Sequence, residues 1–217
     1  MFSPRIYARL FEQANAAGWS LAVLLLAGAG VVLLAWARLG PARGHAALGA
    51  LLGLAWVGCS LLFLRGLYEP INWAVAGLWP PLLALGLLLP LLGAVLRDGA
   101  PVGVVPRRVA LGLAAWAVCV MPLWAPLAGQ GWAQAELPGL APDATAIATL
   151  AWLVALPRAK DWRRRVLVAL AWLPVVAWCG FSALMLLAMD DARAAPLAPA
   201  ALLALGARLG PWGRSAG

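Results

Sequence analysis

Three groups of polar side chains interrupt an otherwise apolar chain, and any chemistry has to come from them. The first is Arg65-Gly66-Leu67-Tyr68-Glu69-Pro70-Ile71-Asn72-Trp73. Arg65 and Glu69 are four apart and can pair on one helical turn, although Arg before Glu is the poorer order. Tyr68 and Asn72 can each donate and accept hydrogen bonds, and Pro70 favours a turn. The second group runs from Pro142 through Asp143, Thr145 and Thr149. Asp143 suits a helix N-cap, where its charge meets the positive end of the helix dipole. Thr145 and Thr149 share a helical face. The third is Gln13, Asn15 and Trp19. The candidate polar site is therefore Arg65, Tyr68, Glu69, Asn72, Asp143, Thr145, Thr149 and Asn15, a set able to line a polar pocket or path. The plainer alternative is an interfacial turn with an ion pair and an aromatic belt, plus threonines bonded to their own helix or a neighbour.

Catalytic templates do not fit. The single histidine, His45, falls in a basic loop, which excludes bis-His haem ligation within the chain and leaves no His-based triad. No GxSxG, HExxH or Walker pattern occurs. Cys59, Cys119 and Cys179 each lie within an apolar run, without metal-ligand spacing, and read as small packing residues. No catalytic residue, cofactor or metal is expected.

The elements that must position these groups are membrane helices. Of 217 residues, 65% are hydrophobic and 11% charged, against about 45–50% and about 25% in soluble domains. Mean hydropathy is +0.90. Only a bilayer accepts so much apolar surface. The expected fold is all-α: a single polytopic transmembrane bundle over 1–217 with six spanning helices and interfacial helices at both ends. Ser3-Pro4 starts an amphipathic interfacial helix over 1–16, with Tyr7, Leu10, Phe11 and Ala14 on one face. Crossings follow at 18–37, 46–64, 73–96, 109–127, 144–156 and 166–189, then a tail over 190–217. The 18–37 run exceeds the length of a signal-peptide core, so it is kept as a helix. Pro80, Pro81 and Pro90 predict a kinked, protein-facing third crossing. The fifth is too short: 13 residues rise roughly 20 Å against a core of roughly 30 Å. It must continue past Pro157 with Arg158 reaching for the interface, or lie buried among its neighbours. The apolar part of the tail, Pro196 to Leu209, should lie in the interface or dock on the bundle.

The net charge of +8 is carried largely by loop arginines, which set orientation and meet anionic lipid, so nucleic acid is rejected as a partner. Alternate loops hold Arg38 and Arg43; Arg97, Arg107 and Arg108; and Arg158, Lys160, Arg163, Arg164 and Arg165. The other side holds Arg5, Arg9, Arg65, Arg193, Arg208 and Arg214, with a long loop from Gly129 to Asp143 that has acids but no base. The excess puts the basic loops in the cytoplasm and both termini outside, in a bacterial inner membrane. If the fifth run does not span, the tail inverts. Ala-Trp pairs recur before cysteines at 55–59, 115–119 and 177–179, hinting at a repeat of about 60 residues. Gly49 and Gly53 form a small-xxx-small pair suited to helix packing. Trp19, Trp36, Trp73, Trp132 and Trp162 fit interfacial belts, whereas Trp56, Trp116, Trp152, Trp172 and Trp178 sit deeper as space-fillers.

The segments Tyr68-Glu69-Pro70-Ile71-Asn72 and Thr145-Ala146-Ile147-Ala148-Thr149 resemble those of an uncharacterised bacterial six-helix membrane protein family, a domain of unknown function. That family has an aromatic-Ala-Pro-Ile-Asn-Pro-like stretch after its second helix; here Trp73 replaces the last proline. Its fifth helix starts Pro-Thr-Thr-Ile-Phe-Thr-like, and here two threonines and Ile147 are kept. The Asn15 region is similar to its N-terminal Tyr-Asn entry. The resemblance implies architecture and no activity. Two functions are expected from these features: a small transporter-like or ligand-binding bundle with an outward-facing polar site, or a non-catalytic accessory subunit of a larger membrane complex. The expected partners are the lipid bilayer and either a membrane protein or a second copy of the chain.

Overall fold

A computed structural model describes residues 4–96, 102–159, 161–191 and 197–210; for 4 and 32–42 it describes the backbone alone. Arg97, Lys160, Arg193 and Arg214 lie outside the described residues, as does the side chain of Arg38. All regular structure among the described residues is helical: α1 (Pro4–Gly58), α2 (Trp79–Val95), α3 (Val104–Ala115), α4 (Met121–Leu127), α5 (Pro142–Ala155), α6 (Trp162–Ala188) and α7 (Leu197–Leu209), with π-helical Cys59–Tyr68 and Trp116–Val120. Five stretches are long and apolar enough to cross a membrane: Arg5–Val31, Arg43–Tyr68, Trp73–Val95, Val104–Leu127 and Trp162–Ala188.

α1 is helical throughout yet doubles back on itself. A β-carbon at Gly28 would stand 3.1 Å from Leu51, and one at Gly58 would stand 2.7 Å from Leu21. These pairings are centred near Gly40-Pro41, residues that weaken a straight helix. The expected interfacial helix at 1–16 is continuous with the first crossing. Its apolar face was legible, but it packs on protein: Tyr7 and Phe11 are buried against Tyr68 and Phe63, with ring centroids 5.5 and 5.1 Å apart. His45 is likewise not in a loop. It is a buried α1 residue whose carbonyl accepts the Trp152 indole N–H at 3.2 Å.

The second arm of α1 lies antiparallel to α2 at very close range. A β-carbon on Gly53 would meet the Gly86 carbonyl oxygen at 2.5 Å, and one on Gly49 would meet that of Leu89 at 2.8 Å. The Gly49/Gly53 pair thus does what small residues do between membrane helices, letting two backbones touch. Pro80 and Pro81 do not kink a crossing. They sit in the first turn of α2, after a 3₁₀ turn at Trp73–Gly77, where the missing amide costs nothing; Pro90 is inside the helix.

The π-helical segment re-aims the second crossing. Its hydrogen bonds skip five residues, as in the Glu69 amide to the Leu64 carbonyl at 2.8 Å. The buried face then falls at Cys59/Ser60, Phe63/Leu64 and Tyr68, a spacing wider than an α-helix gives. Without this widening Tyr68 would rotate away from the core.

α5 is the most enclosed helix; of its 14 residues, only Ala148 and Ala155 are not buried. The preceding loop is buried as well, from Ala135 through Ala141. Gly139, at φ 95°, carries the turn beside Ala55, and a side chain there would strike Leu25. Gly18 packs against Leu140, and the Cys59 thiol points at the Leu140 carbonyl at 3.6 Å. This irregular backbone lies level with the middle of the first two crossings. From there α5 runs toward His45, so Trp152 lies beside Gly49.

α7 docks on the bundle. Leu197, Ala200, Ala201, Ala204 and Ala207 form its buried face. Arg208 donates to the carbonyls of Leu156 and Pro157, just past the C-terminus of α5. Burial, and then the neighbouring charge of Arg158, lower its pKa from the ordinary arginine value. Arg208 therefore sits at the end of the bundle that carries Arg158. The loop count places it at the opposite end, because it treats the tail as surface chain rather than a helix running back along α5.

Candidate functional site

Four of the eight candidate residues converge at the N-terminal half of α5, and a fifth is tied to them. Asp143 is 1% exposed and accepts the Trp178 indole N–H at 2.8 Å. It sits in the first turn of α5, after Pro142, rather than at the N-cap, which is Ala141. The helix dipole still favours its charge there. Thr145 and Thr149 are fully buried. The Thr145 hydroxyl accepts the Gly139 amide at 2.8 Å and donates to the Ala141 carbonyl at 2.7 Å, which locks the buried loop onto the helix. The Thr149 hydroxyl donates back to the Thr145 carbonyl at 2.7 Å and accepts the Trp56 indole N–H at 2.8 Å. Cys59, Tyr68 and Cys179 all lie within electrostatic reach of Asp143. Asn72 joins through Tyr68, donating to its hydroxyl at 3.2 Å, while its own side-chain oxygen caps the 3₁₀ turn at the Ala74 amide.

The other three candidates stand apart. Arg65 is exposed and lies over the Trp79 ring, 5.1 Å from its centroid, a cation–π contact in place of the expected pair with Glu69. Glu69 is half-buried. Asn15 is buried on α1, and its amide donates to the Ala133 and Ala135 carbonyls at 2.8 and 2.9 Å. It pins the mouth of the loop, as does the nearby Gln134–Glu12 hydrogen bond.

Comparison with protein-family models, curated proteins and solved structures gives no match. What this site can do is therefore read from its own chemistry. It offers a buried carboxylate, two hydroxyls, a phenol and two indole donors in a low-dielectric setting, where each hydrogen bond matters more than in water. Among the described residues no group of three His, Cys, Asp or Glu side chains could hold a metal ion.

Trp56 and Trp178 are the members of this cluster that the sequence alone does not single out as polar partners. Both are deep, as their positions indicate, but each is a hydrogen-bond donor to α5 and more than a space-filler. The pairing also weakens the repeat. Trp56 and Trp178 are buried donors beside buried Cys59 and Cys179, whereas Trp116 is 36% exposed and Cys119 is exposed. A legible clue to the site did exist: a short apolar helix preceded by the Gly/Pro-interrupted stretch Leu137–Pro142, the pattern that marks broken segments in transporters.

Proposed function

We propose that this chain is a small transporter-like or ligand-binding bundle of a bacterial plasma membrane, with Asp143, Thr145, Thr149, Tyr68 and Asn72 as its polar site. The burial of the Asp143 carboxylate, held by Trp178 level with the middle of three crossings, carries this reading. A carboxylate at such a depth is expensive to keep and usually serves an ion or solute path. Irregular backbone at that depth is tolerated where protein covers it and is used to build binding sites. The path leads outward past Tyr68 to half-buried Asn72.

The proposal includes six crossings. The 14 residues of α5 rise about 21 Å, and the buried loop 135–141, folded into a turn at Gly139, supplies the rest of the roughly 30 Å of hydrocarbon. The fifth crossing is thus part loop and part helix. The arginine-rich end is cytoplasmic and the N-terminus outside. Arg208 joins the cytoplasmic set. Kinship with the uncharacterised six-helix family is part of this proposal, and what supports it is that its two segments meet at Asp143.

The test is native mass spectrometry of gently purified protein, wild type against Asp143→Asn. A small-molecule mass retained by the wild type and lost from the variant supports the site. A polypeptide co-purifying at fixed stoichiometry with both overturns it in favour of an accessory subunit.

A further inference from the structure

Between α2 and α6 lies a groove of about 460 Å³ whose lining is apolar throughout, including Leu82, Leu85, Leu170, Pro174, Ala177 and Trp178. Room exists here because alanine and proline stand where larger residues would interlock. The groove is open to the lipid side of two crossings. Its α6 wall follows one helical stripe, Leu170, Pro174 and Ala177, and the same stripe seven residues earlier carries Arg163. Arg163 is exposed and lies beside Trp162, 5.6 Å from the ring centroid. The nearby Asp161 is engaged by Arg164 at 3.2 Å, and no carboxylate pairs with Arg163 among the described residues. From Arg163 to Trp178 the helix rises about 22 Å. That matches the distance from head groups to mid-plane in a bilayer of about 40–45 Å total thickness.

We propose that this groove is a specific site for an anionic phospholipid of the leaflet at the arginine-rich end. The phosphate is held by Arg163 beside Trp162, and one acyl chain lies along α6 down to Trp178. A basic residue at the head, an aromatic at the interface and an apolar trough that begins at Leu170, about 10 Å further along α6, match the parts of such a lipid in order. A zwitterionic lipid fills the same trough and also offers a phosphate, but the cationic group beside that phosphate offsets its attraction to the arginine.

The experiment places the full chain in phosphatidylcholine nanodiscs doped with a trace of lipid bearing a diazirine on its acyl chain. One probe carries a phosphatidylglycerol head and the other a phosphatidylcholine head; cross-linked peptides are mapped by mass spectrometry. The glycerol probe is expected to label 78–88 and 170–178 several-fold above the choline probe. Arg163→Gln should bring it down to the choline level, and Ala177→Phe, which fills the trough, should remove groove labelling by both probes while labelling elsewhere persists. Equal yields for the two heads, an unchanged pattern in Arg163→Gln, or labelling spread evenly around the belt would each overturn the proposal.

Discussion

Asp143 and Trp178 form the buried contact that carries the proposed site. Asp143→Asn keeps an oxygen for the indole donor and should leave thermal stability in detergent nearly unchanged. Asp143→Leu leaves a buried N–H without its acceptor and should cost about 1–3 kcal/mol. If both variants melt alike, the Trp178 contact carries no weight. The Trp56–Thr149 bond is a gentler case, since buried hydrogen bonds between membrane helices average about 0.6 kcal/mol. A double-mutant cycle with Trp56→Phe and Thr149→Val should return a coupling of that order; a coupling near zero would mean the two groups are merely adjacent.

At the scale of elements, the apolar pattern revealed the helices well because a bilayer demands long apolar runs. Four of the five stretches long enough to cross overlap the expected crossings closely, and Tyr7, Leu10, Phe11 and Ala14 do share one buried face. Periodicity could not reveal the π-helical turn of Cys59–Tyr68, since the same residues read as an ordinary helix end. Nor could it tell an interfacial face from one packed on protein, because both require the same apolar stripe. The site was half legible. Thr145, Thr149 and Tyr68 announce themselves as polar groups in apolar company, whereas tryptophan reads as bulk until a neighbour shows where its N–H points. Glycines give the sharpest element-scale prediction. Gly53→Leu must force α1 and α2 apart at the Gly86 carbonyl and should abolish the folded bundle, read as loss of the monodisperse peak in size-exclusion chromatography. Gly180→Ala, where a β-carbon meets nothing within 4 Å, should be neutral or slightly stabilising.

For the whole molecule, the decisive question is which end the tail reaches. Arg208 at the Leu156 and Pro157 carbonyls puts the described end of α7 beside the arginine-rich end. In a cysteine-free background, a cysteine at Gly210 should react with a membrane-impermeant thiol reagent from the same side as one at Asp161, and from the side opposite to one at Trp73. Labelling of Gly210 together with Trp73 would show that α7 does not hold its docked position in the membrane. Loop counting could not see this, because the rule treats each apolar run as either across or outside and has no term for a short helix that turns back.

The crossing proposed for α5 and its buried loop also bears on how the chain is assembled. A segment of 14 helical residues, led in by a polar-mouthed loop that turns at Gly139, carries too little hydrophobicity to be released into lipid by itself. Its place is made by Gly18, Leu25 and Ala55, which belong to the hairpin synthesised long before it. Biogenesis must therefore run in order, with the first hairpin waiting beside the insertion machinery as a receptacle for the later, weaker segment. Damage to that hairpin would appear as a stalled, incompletely inserted chain rather than as a finished protein of low stability.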